Sequence, residues 1–541
     1  MFAQFVRSRV VKHLLGISLS IALGTAVHAQ DPEQDPDSVG LLPNTDVVEE
    51  VVPEVPLLPM PALSLWSQGD LDRLVSQLFE APSHGLPSMD LLAFRIANPQ
   101  EALAVRQSLA QQAFMQFGGW LRFGLLDPES HEVRQLSNEE QNVLIASLGD
   151  ALADGDVAAT LQDFAPRVRD YDILRREMLR MMALQPIWPE VDREGGALEP
   201  GATGPRVEQL RARLAAEGLY HSDWEEGQPY GPRLETAVRR FQGRVNLAPS
   251  GRMDRNTLRQ LNISPEQRLT QLRANLEQRR WRERDLGRKH IWVNIADYRL
   301  EAWEDGELVR THQVMVGRTA SSTPEFSDEM EYLVFNPWWG VPTGSARSRF
   351  RSIRRNPNVV DYYGFRIFDA AGSAIQPWEV DWSQWGQSWP YRLSQAPGPT
   401  NPMGEVKFIF PNRHNVYIHD TTERDQFFRT RRDFSAGCIR VEDPMELARW
   451  ILDGQDGYDA EQIASVTAGN SPTVVWLDER IRVHIAYWTV VGDENGDVRF
   501  LNDLYGRDAD LVSAYQSALD GFQPRASEVV ALQESLEIAL H

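Results

Sequence analysis

Cysteine occurs once in the 541 residues, at Cys438. No disulfide can therefore form within the chain. No apolar run approaches the roughly 20 residues that a membrane-spanning helix needs. Neither a His-Glu-x-x-His pattern nor paired cysteines occur, which removes the usual zinc arrangements, and no cofactor is implied. Basic residues are outnumbered, 55 Lys and Arg against 77 Asp and Glu, for a net charge of −22. With no dominant basic patch to neutralise phosphates, a nucleic-acid partner is excluded.

What is present begins with an export pattern. Arg7, Arg9 and Lys12 form a positive segment, Leu14 to Leu23 an apolar stretch, and Val27-His28-Ala29 a small-residue cleavage site. Residues 1–29 are expected to be a signal peptide, with the mature chain starting near Gln30. An uncleaved signal would be the only membrane attachment. Residues 30–62, rich in Asp, Glu, Pro and Val, read as a disordered tether. In an oxidising compartment a lone cysteine is exposed to oxidation, so Cys438 is expected either to be catalytic or to be a buried, inert thiol.

The rest is expected to be multidomain α+β. Residues 63–190 carry helical spacing, as in Leu71, Leu74, Val75 and Leu78, without a chemical motif, and read as a helical scaffold. Residues 197–262 hold three short helices separated by glycine turns, with Phe241-Gln242 and Ser250-Gly251-Arg252; this unit resembles the three-helix peptidoglycan-binding domain of bacterial wall enzymes. The charged, helical stretch 264–289 reads as a connector. From 290 to 541 strands dominate, and turns such as Asp305-Gly306 imply hairpins and a mainly antiparallel sheet. Asp493 to Asp497 superficially suits calcium but lacks the later glutamate of a calcium loop, and is expected to be a hairpin turn. An insertion at about 345–391 is first arginine-rich, then tryptophan-rich, and reads as a capping subdomain. Its arginines are expected to meet substrate carboxylates or to form a solvated face. The 16 tryptophans suit a carbohydrate-facing or amide-facing groove, and equally ordinary cores.

The chemistry concentrates in Tyr417-Ile418-His419-Asp420 and Ser435-Ala436-Gly437-Cys438-Ile439-Arg440. A thiol attacks as thiolate, and a histidine brought close by the fold is the base it requires. Ser435 lacks the Gly-x-Ser-x-Gly surroundings of a serine nucleophile. Together with Asn336-Pro337-Trp338-Trp339, Pro397-Gly398-Pro399 and Gly404-Glu405-Val406-Lys407-Phe408, these motifs resemble the catalytic domain of L,D-transpeptidases, specifically the large multidomain Gram-negative members. The commonest family pattern has His-Gly-Cys and then Asn two residues on; here Ala436 and Arg440 stand at those places, as in the large-member subgroup.

The resemblance implies a periplasmic enzyme acting on peptidoglycan stem peptides and glycan strands, alongside other wall-synthesis proteins, and sensitive to carbapenems. It implies Cys438 as nucleophile, His419 as base, the Asp420 carbonyl orienting His419, and the Gly437 and Cys438 amides facing an oxyanion. Arg440 is expected to lower the thiol pKa, hold a substrate carboxylate or form a structural salt bridge. Tyr417, Trp339 and Asn336 are expected in the substrate groove. The implied reaction is 3→3 cross-linking through a thioester. The alternatives are a hydrolase using the same site, as carboxypeptidase or amidase, and a non-catalytic wall-binding scaffold.

Overall fold

The computed structural model describes residues 65–221, 227–386 and 389–522. The expected signal peptide and tether lie outside these residues. Among the described residues no helix is long and apolar enough to cross a membrane.

Strands appear where β-branched and aromatic residues alternate with polar ones: β1 (Lys289–Asn294), β2 (Arg299–Glu304), β3 (Glu307–Gly317), β4 (Phe326–Phe335), β5 (Trp339–Gly340), β6 (Phe365–Phe368), β7 (Ala374–Ile375), β8 (Arg392–Gln395), β9 (Val406–Ile409), β10 (Ile418–His419), β11 (Asp433–Ser435), β12 (Ile439–Val441), β13 (Thr473–Ala486), β14 (Val490–Gly492) and β15 (Val498–Phe500). The main sheet runs β11-β3-β12-β10-β9-β4-β13-β1-β2, and β2 also pairs with β3, so it closes on itself. Most pairings are antiparallel; β1–β13, β10–β12 and β11–β3 are parallel. The sequence suggests separate strands over Val474–Leu477 and Val483–Thr489. The structure instead has one strand, β13, with a register shift between Trp476 and Ile481 that keeps both halves on β4. Inside the closed sheet Ile291, Val293, Leu333, Phe408, Ile418, Ile439 and Val483 are fully buried. Each such side chain contributes roughly 1.5–3 kcal/mol. The Asp493–Asp497 turn joins β14 to β15 as a hairpin.

Helices Gln68–Leu78, Leu103–Phe123 and Asn138–Asp154 pack around Leu71, Leu74, Leu78, Phe114 and Leu148. Ser67 and Ser137 start two of them as capping boxes with Asp70 and Glu140. The helix Asp508–Gly521, which follows the sheet in sequence, joins this helical core through Leu511, Tyr515 and Leu519. In the three-helix unit (Pro205–Ala216, Pro232–Arg244, Arg255–Leu261) Phe241 fills the core. Its neighbour Gln242 donates to the Arg252 carbonyl and Thr257 Oγ1 and accepts from Gly251 N–H, which fixes the glycine turn.

The stretch 264–289, expected to be a helical connector, holds helix Pro265–Arg280. Helix Pro265–Arg280 is a buried strut: Arg280 pairs with Glu277, with both side chains fully buried, and donates to the His84 carbonyl and the Tyr515 hydroxyl. Arg279 holds Asp170 and the Val490 carbonyl, and Asn275 bonds both the backbone and side chain of Thr489. Its charge does not mean exposure, because each buried guanidinium has its partners.

The cap is a small sheet, β5-β8-β6-β7, with helix Thr343–Arg355 over Phe350, Ile353, Ile367 and Leu393. Trp382, Trp385 and Trp389 pack on this cluster, so the tryptophan-rich stretch chiefly builds the cap's own core. Arg347, Arg349, Arg351, Arg354 and Arg355 lie on the exposed side.

Candidate active site

Three short strands set the geometry. In β9, β10 and β12, Lys407 pairs with His419 and His419 with Arg440. Tyr417 precedes His419 by two residues and Cys438 precedes Arg440 by two, and the period of a strand puts all five side chains on one face. The Ile439 N–H donates to the Tyr417 carbonyl at 3.1 Å, so the register continues to the cysteine. Cys438 and His419 are diagonal neighbours, with α-carbons roughly 8 Å apart from the spacings of adjacent strands. The thiol itself is half-buried and rests 3.9 Å from the Asn415 carbonyl. Catalytic contacts of this kind commonly close only with substrate bound.

His419 is buried, 3% exposed, and its Nδ1 lies 2.5 Å from the Asp420 carbonyl, which leaves Nε2 as the basic nitrogen. Asp420 is itself fixed: its carboxylate accepts from the Glu405 and Thr421 amides and from Arg424. Gly404 makes room for it, since a Cβ there would sit 2.1 Å from the carboxylate. Burial, reinforced by the Arg440 and Lys407 cations, lowers the imidazole pKa to about 3. Burial also raises the Cys438 thiol, against which hydrogen bonds from Tyr417 and the charges of Arg440 and Lys407 pull it down. The resting pair is therefore a neutral thiol and a neutral imidazole, and proton transfer belongs to the attack itself.

The loop bearing Cys438 is held from behind. Thr323 Oγ1 donates to the Gly437 carbonyl at 2.8 Å and accepts the Gly317 N–H at 2.9 Å. The Tyr505 hydroxyl donates to the Gly317 carbonyl at 2.5 Å and accepts the Thr323 N–H. Gly317 permits this approach: a Cβ would lie 2.1 Å from the Ser321 carbonyl and 3.1 Å from the Gly437 α-carbon. Tyr505 is fixed in turn through its N–H to Tyr487, whose hydroxyl donates to Asp503.

Several expected roles change in this setting. The Gly437 N–H, expected to face an oxyanion, donates to Ser435 Oγ at 3.1 Å. Ser435 Oγ–H donates to the Cys438 carbonyl at 2.6 Å, so this serine organises the turn. Asn336, expected in the groove, has its side-chain amide on the Val466 carbonyl and is buried there. Trp339 packs against the cap cluster. Arg440 meets Glu423 at 2.5 Å, the salt-bridge option among those expected, and still lies on the Cys438 face. The Tyr417 ring lies 5.6 Å from that of His419, with Lys407 Nζ 5.7 Å away on Tyr417. Sequence reasoning missed Lys407, Thr323 and Tyr505 as site residues; only the alternation in Val406-Lys407-Phe408 hints at Lys407.

Residues 288–468 match the YkuD family profile, an L,D-transpeptidase catalytic domain; residues 203–261 match a peptidoglycan binding domain, and residues 63–178 a scaffold domain. A curated protein of Haemophilus influenzae, provisionally named an L,D-transpeptidase, is 31% identical over 222 residues, covering 41% of this chain and 45% of that protein. The chain thus matches about half the length of that relative. Among solved structures, an L,D-transpeptidase fragment from Xylanimonas cellulosilytica aligns with 55% of this chain and 100% of its own, at 16% identity and a TM-score of 0.19. One from Stackebrandtia nassauensis aligns with 56% and 97%, at 14% identity and a TM-score of 0.20.

Proposed function

From an L,D-transpeptidase catalytic domain and a peptidoglycan-binding domain in one chain, we infer an extracytoplasmic enzyme that cross-links peptidoglycan stem peptides by acyl transfer through Cys438. The observation that carries this reading is the parallel pairing of β10 with β12, which sets Cys438 and His419 on one face with the imidazole anchored by the Asp420 carbonyl.

His419 Nε2 takes the thiol proton as Sγ attacks the carbonyl preceding the terminal D-alanine of a donor tetrapeptide. The oxyanion is met by the Cys438 N–H, because the Gly437 N–H is engaged with Ser435; one such donor is worth about 3 kcal/mol. The tetrahedral adduct collapses, the C–N bond breaks, and the D-alanine amine leaves with the proton held by His419. The side-chain amine of a second stem then attacks the thioester, gives up a proton to His419 and expels the thiolate, which is reprotonated. A 3→3 cross-link results. Lys407 and Arg440 stabilise the thiolate at both stages.

The test is incubation with defined muropeptides and product identification by mass spectrometry. Wild type should give the cross-linked dimer and free D-alanine, and Cys438→Ala should lose at least about 1,000-fold in rate with its fold intact. Tripeptide without dimer would make the protein a hydrolase. Full activity of Cys438→Ala would end the proposal.

A further inference from the structure

On the part of the closed sheet formed by β1 and β2 lies a cavity of about 700 Å³ that shares no residue with the Cys438 face. Its walls include Trp292 and His290 of β1, Trp303 and Glu301 of β2, Trp488, and the segment Arg167–Asp170 that precedes helix Tyr171–Leu184. This is the size of a ligand pocket, and aromatic planes beside a few fixed polar groups are its usual lining. Of the three tryptophans, Trp292 and Trp488 are buried in the sheet's own cluster, and Trp303 presents the partly exposed ring.

Trp488 is 5% exposed and its indole N–H is closed to the cavity, so its ring backs the wall and offers a ligand no anchor. Trp303 is only partly buried, and its own N–H is directed to Glu301 at 3.1 Å.

The charge pattern selects the ligand class. Four arginines and six carboxylates line the cavity, so a polyanion would be repelled while hydroxyl and acetamido groups find both donors and acceptors. An extended peptide would need a free strand edge, and β2 has none, since it pairs with both β1 and β3. A second cavity of about 470 Å³ shares Asp297, Arg299, Asp493, Glu494 and Arg499 with the first and reaches Asn246, just past helix Pro232–Arg244 of the three-helix unit. Asn246 donates to the Ala296 carbonyl at 3.5 Å, which ties that unit to the sheet where the two cavities run together.

We propose that the two adjoining cavities form one groove that binds a neutral N-acetylated amino-sugar strand, holding glycan between the three-helix unit and the sheet. This rests on the reading that peptidoglycan is the substrate, and it adds a glycan site distinct from the thiol face. The strand seats against Trp303, and its hydroxyl and acetamido groups bond to the Arg299–Glu301 ion pair.

Isothermal titration of the full chain with N-acetylglucosamine hexamers tests it. The hexamer should bind wild type and Cys438→Ala equally, and at least tenfold more weakly to Glu301→Gln, an isosteric change, and to Trp303→Leu. Circular dichroism and the iodoacetamide alkylation rate of Cys438 should match wild type in both variants. No binding to wild type, or undiminished binding to Glu301→Gln and Trp303→Leu, would overturn the proposal. Failure of the transpeptidase reading would appear elsewhere, as a missing carbapenem adduct on Cys438, and would leave the hexamer titration unchanged.

Discussion

Strands β9, β10 and β12 present two faces made from adjacent residues. On one, Phe408, Ile418 and Ile439 are wholly buried in the sheet's core; on the other, one residue away, stand Lys407, His419 and Arg440. The pleat separates order from reactivity, because a one-residue shift moves a side chain from one environment to the other. The apolar face fixes the register, and the register sets the distances on the reactive face. His419→Gln should therefore lower the transpeptidation rate by about 10²–10⁴-fold with little change in melting. Ile439→Ala should cost about 2–5 kcal/mol in denaturant unfolding while the rate per folded molecule is retained. The comparison breaks if Ile439→Ala destroys activity in molecules that remain fully folded. It sharpens with pH: His419 titrates at about 3 when folded and near 6.5 when unfolded, so between these values the unfolded chain binds more protons. Stability contributed by His419 is thus present above about pH 6.5 and lost as pH falls toward 3, a slope that His419→Gln should reduce without abolishing, since burial lowers His84 and His484 too.

The second contrast lies within the reactive face. His419 is anchored by its own neighbour, Asp420, whereas the cysteine loop depends on Thr323 and on Tyr505, 188 positions from the glycine it holds. Thr323→Val keeps the shape and removes the donor to the Gly437 carbonyl, leaving two backbone groups unpaired at about 1–3 kcal/mol of cost. We expect kcat to fall about tenfold with KM unchanged, and Thr323→Ser to restore it. An unchanged kcat in Thr323→Val would show that the loop holds its position without this brace.

These contrasts also explain which parts were legible in the sequence. Cys438 and His419 stood out as candidates because a single thiol and its flanking motif are local signals. The Ser435 to Gly437 bond was missed, because the resemblance assigned the Gly437 amide to an oxyanion, although a serine hydroxyl capturing the amide two residues on is a local turn habit. Lys407 was hidden because its place beside His419 depends on a strand pairing that joins distant segments. The burial of helix Pro265–Arg280 was hidden for another reason: charge is a guide to exposure only for unpaired groups, and Arg279, Arg280 and Glu277 are paired. The cap tryptophans suited a groove as well as a core on composition, and only their contacts with Phe350 and one another assign them to the core.

Lys407 supplies the smallest predicted effect and the sharpest test of the reactive face. It has no acidic partner among its described contacts; burial lowers its own pKa, and the charge it retains acts on Cys438 across the Tyr417 ring. The thiol is already raised by burial, so iodoacetamide alkylation should climb with pH through the alkaline range. Removing a cation that lowers the thiol pKa must raise it further. Lys407→Met, which keeps the length and the apolar stem, should shift the alkylation profile to higher pH while the protein melts as wild type does. A profile that stays in place would mean that Arg440 alone carries the electrostatic support, and Arg440→Met would then move it by the full amount.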